Sequence, residues 1–113
     1  SKRAKRAMFG AGVYFAPNAS KCDLYADKNA AGEKCIILVR SVLGAPFPRY
    51  QRCDEVVHCP PEGFDSIVAV PKEYDGAVDH PEVVLFAKYA AMPVARIVYR
   101  HLPSCRCHTC CPL

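Results

Sequence analysis

Residues 8–25 constrain this chain more than any other stretch. They read Met8-Phe9-Gly10-Ala11-Gly12-Val13-Tyr14-Phe15-Ala16-Pro17-Asn18-Ala19-Ser20-Lys21-Cys22-Asp23-Leu24-Tyr25. Two glycines one residue apart permit a tight turn, and the aromatic, alternating run over 12–16 predicts a short strand. Pro17 and Asn18 stop that strand, and Asn18 or Ser20 can cap a helix reaching about Asp27. A dinucleotide-binding Gly-x-Gly follows a strand and opens a helix, whereas these glycines precede a strand. That fold is excluded. A tight turn feeding the strand accounts for both glycines whatever the function. A tyrosine ring offers a flat apolar face and a hydroxyl, so Tyr14 and Tyr25 can hold a planar heterocycle between them.

Further along, Asp27 and the residues to Glu33 are polar and include Gly32, a loop. Cys35-Ile36-Ile37-Leu38-Val39 is a continuous, largely β-branched apolar run that predicts a central strand buried on both faces and continuing through Val42. Residues 45–65 carry five prolines or glycines outside any period, and read as loop with at most a short strand around Val56. Strand character returns over 64–70, and an acidic, turn-rich surface loop spans 71–81. Two more strands follow over 82–86 and 94–99. Strands outnumber helices. The expected class is α+β, a mostly antiparallel twisted sheet with one flanking helix and an exposed edge that favours a partner segment or second chain.

At 113 residues the chain holds at most one domain. Its 51% apolar and 23% charged residues mark a globular protein, and no apolar run approaches the ~20 residues of a membrane span. Lys2, Arg3, Lys5 and Arg6 supply four of fifteen basic residues in a net charge of +4. That start lacks the apolar segment of a signal peptide and reads as the interior of a longer chain. It is a solvated loop or a stretch that welcomes anionic phosphates; nucleic acid has no further support. Of eight cysteines, Cys22, Cys35, Cys53 and Cys59 are scattered and Cys105, Cys107, Cys110 and Cys111 crowd the end. A thiol within an apolar strand (Cys35) and one within a helix (Cys22) suit a reducing compartment, so an intracellular, nuclear or cytoplasmic protein is expected.

The 8–25 stretch resembles the nicotinamide-pocket motif of the poly(ADP-ribose) polymerase family, G-x-G-[IV]-Y-F-A-x-x-x-S-K-[SC]-x-x-Y. Two later segments extend the likeness. Pro60-Pro61-Glu62-Gly63-Phe64-Asp65-Ser66-Ile67-Val68-Ala69 resembles the family's P-x-G-x-x-S-V, and Glu82-Val83-Val84-Leu85-Phe86 resembles its E-Y-V-[IV]-[FY] strand. The three stand in the family's order over roughly residues 8–100. By this resemblance residues 1–103 are the C-terminal half of an ADP-ribosyltransferase catalytic domain, and 104–113 a Cys-rich tail. The implied activity is transfer of ADP-ribose from NAD, as co-substrate, to protein acceptors with release of nicotinamide.

The resemblance also implies roles. Loss of nicotinamide develops oxocarbenium-like charge on the ribose, and a fixed carboxylate stabilises it. Glu82 is that carboxylate, although a strand-head glutamate is ordinarily a solvent-facing residue. Tyr14 lines the pocket, Tyr25 stacks on the nicotinamide, Ala16 leaves room for the ligand, and Lys21 sits near the ring or is an exposed helix lysine. Cys22 stands where most members have a serine that bonds the carboxamide, and a thiol is the weaker donor. Val83 replaces a common tyrosine. The family's upstream His-Gly pair has no counterpart: His58, His80, His101 and His108 all lie downstream, and none precedes glycine. The alternative is an inactive binding module of the same fold, or a fragment lacking that half of the NAD site.

No metal is assigned. The tail could bind zinc through its thiolates and His108, but its cramped spacing and adjacent cysteines favour a disordered or lipid-modifiable segment. Cys53, His58 and Cys59 make a weaker cluster still.

Overall fold

A computed structural model of the protein describes residues 9–53 and 57–111. The basic start, Met8 and the strand expected around Val56 lie outside the described residues. The described chain is α+β, with mostly antiparallel sheets and one α-helix. In order come β1 (Val13–Phe15), α1 (Ala19–Tyr25), β2 (Lys34–Ser41), β3 (Pro46–Arg49), β4 (Ser66–Ala69), β5 (Glu82–Leu85) and β6 (Ala91–Tyr99). Among the described residues no helix is long and apolar enough to cross a membrane.

Two sheets form where one was expected. The larger runs β1-β5-β4-β3, and β2 pairs with β6 in a separate ribbon. β4 and β5 pair antiparallel with Ile67 opposite Val84 and Ala69 opposite Glu82. β1 lies antiparallel on the other side of β5, with Tyr14 opposite Val84. One face of these strands carries the core of Phe9, Ile67, Ala69, Val78 and Val84, with Tyr14, Ala77 and Phe86 packed against it. Ser66 and Leu85, on the opposite face, are buried too. The doubly buried position thus falls to β4 and β5.

It does not fall to the run from Cys35 to Val39. In β2 that run is paired to β6 alone, with a bulge between Leu38 and Val39, and Cys35, Ile37 and Leu38 are exposed. An apolar strand is buried only where other elements cover it, and here α1 covers only the end of the ribbon around Lys34 and Tyr99.

Three local expectations also change. Residues 45–65 contain the strand β3, parallel to β4. Arg49 accepts the Val70 N–H at 3.0 Å, so 47 and 49 bond β4, while alternation turns Pro46 and Pro48 to the open edge. A proline needs no partner there. The 71–81 loop is partly core: Pro71 and Val78 are buried and bridge in parallel, flanking a 3-10 turn at Lys72–Tyr74. Helix α1 ends at Tyr25, and its N-cap residue Asn18 makes no side-chain cap hydrogen bond.

Candidate functional site

The turn before β1 is shaped by close backbone approach. Gly10 has φ +124°, and a Cβ there would stand 2.9 Å from the Phe86 ring. At Gly12 a Cβ would lie 2.6 Å from the Leu85 carbonyl oxygen, so only glycine lets β1 close on β5. The Ala11 N–H donates to the Val57 carbonyl at 2.6 Å. Tyr14 fastens the same turn: its hydroxyl accepts from the Phe9 N–H at 3.0 Å and donates to the Gly10 carbonyl at 2.7 Å. Burial pushes the Tyr14 phenol above its ordinary value; the Phe9 N–H opposes this, and the charges of Glu82 and Cys53 add to it.

Glu82 heads β5. Alternation places its side chain on the face of Val84, the face Tyr14 shares across the β1–β5 pair. Lys21, one turn into α1, reaches over to Glu82, Nζ to Oε1 at 3.3 Å. Their side chains are only 12% and 14% exposed. Lys21 is therefore not the solvent-facing helix lysine that its sequence position allowed, and Glu82 is not a free strand-head carboxylate. Ala16 follows β1 directly, half-buried, where one further step of the register would set it opposite Glu82.

The two tyrosines are not brought together. Tyr14 is packed on the core with its hydroxyl engaged in the turn, whereas Tyr25 is 61% exposed at the end of α1. The two rings have unlike surroundings. Cys22 is half-buried, a free thiol.

Asp23, next on α1, was not a sequence candidate, yet it is the most connected side chain here. It is 7% exposed. Lys34 Nζ donates to its carbonyl at 3.0 Å and to Oδ1 at 3.2 Å; Tyr99 OH donates to Oδ1 at 2.5 Å and Thr109 Oγ1 to Oδ2 at 2.7 Å. His101 Nε2 lies 2.8 Å from Oδ1. Burial alone would raise this carboxyl, but hydrogen bonds from Tyr99, His101, Thr109 and Lys34 outweigh it and hold the group well below the usual carboxylate range. Burial, then the Asp23 bond and charge, push the Tyr99 phenol up. A lone aspartate in a polar helix carries no local sign of these partners.

The tail is corrected as well. Residues 104–111 form turns, with the Cys105 N–H on the Leu102 carbonyl at 2.9 Å and the Cys111 N–H on the Cys107 carbonyl at 2.8 Å. Thr109 ties them to Asp23. A disordered segment does not describe them, and His108 lies exposed. No protein-family model and no curated protein matches the sequence.

What the Tyr14–Lys21–Glu82 group can do follows from its parts. A carboxylate held in one direction by an ammonium, at a strand end beside an aromatic ring, can stabilise positive charge developing on a bound ligand.

Proposed function

We propose that this chain is the C-terminal half of an ADP-ribosyltransferase domain resembling the poly(ADP-ribose) polymerases. The supporting observation is the shielded Lys21–Glu82 pair at 3.3 Å on the strand face that Tyr14 also occupies. These are three of the residues that the sequence resemblance selects. In the proposed reaction the bond between the ribose anomeric carbon and the nicotinamide nitrogen breaks, and nicotinamide leaves with the electron pair. Glu82 binds the ribose hydroxyls and offsets the oxocarbenium charge, and the protein acceptor adds to the anomeric carbon and loses its proton. NAD is a co-substrate. The acceptor side and the ribose-binding histidine belong to polypeptide other than these residues. The exposed apolar side chains of the β2–β6 ribbon, among them Ile37, Leu38, Val94 and Ile97, suit cover by such an added half.

The test is automodification of the full-length protein with labelled NAD. Glu82→Gln should abolish transfer while circular dichroism stays that of the parent. Unchanged transfer would sink the role of Glu82.

A second reading, a binding module without activity, has its own support: both hydrogen bonds of the Tyr14 hydroxyl are spent within the turn, and Cys22 offers a thiol for a hydroxyl. Titration calorimetry with NAD separates the two. Heat with nicotinamide release favours the enzyme, and silence favours the module.

A further inference from the structure

His101, Cys105, Cys107 and Cys110 bring one ring nitrogen and three sulfurs within 4.8 Å of one another. All three cysteines are free thiols. His101 Nδ1 stands 3.4 Å from Cys105 Sγ and 3.5 Å from Cys107 Sγ. A tetrahedral zinc with Zn–S of about 2.3 Å and Zn–N of about 2.0–2.1 Å would hold such an N and S about 3.6 Å apart, close to both distances.

A second, independent feature selects the same nitrogen. His101 Nε2 meets Asp23 Oδ1 at 2.8 Å. An ionised carboxylate only accepts, so Nε2 carries a proton and Nδ1 is the nitrogen that faces the sulfurs and would bind a metal. Metal-bound histidines characteristically donate their other N–H to a carboxylate, which fixes tautomer and ring direction. Asp23 also takes Thr109 Oγ1 at 2.7 Å, so a single buried side chain steadies both ends of the 101–110 loop. The Cys107 N–H points at Cys105 Sγ at 3.5 Å, a backbone donor suited to a thiolate. Three thiolates and a dication leave one net negative charge, and Lys28 and Arg106 border the hollow beside the cluster.

We propose that these four residues form a structural zinc site, with Asp23 as its positioning residue. All four tetrahedral positions are filled by protein, so the ion locks the tail against α1 and β6 and leaves no open position for substrate. Cys111 and His108, also in the tail, stand outside the ligand set. Zinc is favoured over harder ions because three of four donors are sulfur.

The experiment is metal analysis of the purified, reduced chain, followed by cobalt titration of the metal-free protein. One zinc per chain is expected, and one cobalt should give the intense visible bands of a tetrahedral ion with thiolate-to-cobalt charge transfer. Cys110→Ser should weaken cobalt binding on the order of tenfold or more and reduce the charge-transfer band, while Cys111→Ser and His108→Ala leave both unchanged. Asp23→Asn should weaken binding about 10–100-fold and keep the thiolate bands. Should a serine or alanine variant fail to fold, the parent titration still decides. Absence of stoichiometric metal, an octahedral cobalt spectrum, a Cys107–Cys110 disulfide whose reduction yields no uptake, or equal losses at Cys110 and Cys111 would each overturn the site.

Discussion

Asp23 Oδ1 and His101 Nε2 are 2.8 Å apart although 78 positions separate the two residues. The contact joins α1 to the chain beyond β6, and Lys34 and Tyr99 converge on the same carboxylate oxygen. Asp23→Asn keeps the shape but removes the charge that faces Lys34 and turns an N–H₂ toward donors. Urea unfolding should show a loss of about 3–5 kcal/mol, the cost of breaking a buried pair. A change within experimental error would show that the network contributes no net stability.

Metal removal should act on the same region. Chelation is expected to lower the unfolding midpoint temperature and to open 101–111 to proteolysis, with zinc restoring both, because an ion bound only by the native state stabilises it by mass action. Limited proteolysis read by mass spectrometry would locate the first cuts. Cuts elsewhere, with the tail still protected, would argue against a zinc-locked tail.

Lys21 and Glu82 should be energetically coupled. Lys21→Met leaves a shielded carboxylate without its ion-pair partner and should cost about 1–3 kcal/mol. Because the two touch, the double variant with Glu82→Gln should cost less than the sum of the single losses, by about 0.5–3 kcal/mol. Strict additivity in a double-mutant cycle would mean that the 3.3 Å contact carries no interaction energy.

Tyr14→Phe removes one donor and one acceptor from the turn and should cost about 1–2 kcal/mol. It should also change the alkaline limb. The folded phenol titrates above its unfolded value, so the folded state holds that proton more tightly. Its contribution is complete below about pH 10 and declines as pH rises through the folded value. Tyr99 is raised too, so the measurement is the difference between parent and variant from pH 9 upward. Parallel stability curves would exclude a titrating Tyr14.

Gly12→Ala tests how the candidate site is assembled. The added methyl group would meet the Leu85 carbonyl at 2.6 Å and Val84 Cγ1 at 2.7 Å, and backbone cannot swing aside. A loss at the upper end of about 1–3 kcal/mol is expected, with exchange protection lost first at Val13–Phe15. A neutral substitution would show that β1 does not need this close approach to β5.

Several features were legible in local sequence. Alternation and β-branching mark β1, β4 and β5, and Gly10 and Gly12 mark the turn whose crowding only glycine fits. Strand register then put Tyr14 and Glu82 on one face, and α1 brought Lys21 to Glu82. Pro46 and Pro48 hid β3, because proline argues against a strand unless its missing N–H faces an open edge, and edges are a property of the sheet. His101 does not stand out in the sequence as a candidate ligand for a similar reason. Cys107 and Cys110 have the two-residue gap of a metal knuckle, but Cys111 beside them obscured it, and the histidine lies before the tail rather than within it.

The sequence by itself determined that most of the strands, though not β3, are extended, and which side chains are chemically capable, since these depend on neighbours a few bonds away. Tertiary structure decided which strands are buried: the more apolar run, Cys35 to Val39, lies in an exposed ribbon, while Ile67 and Val84 are fully enclosed. It also decided that Lys21 serves Glu82 and that Asp23 orients His101. Burial and pairing depend on what folds back from tens of residues away, and neither periodicity nor propensity contains that distance.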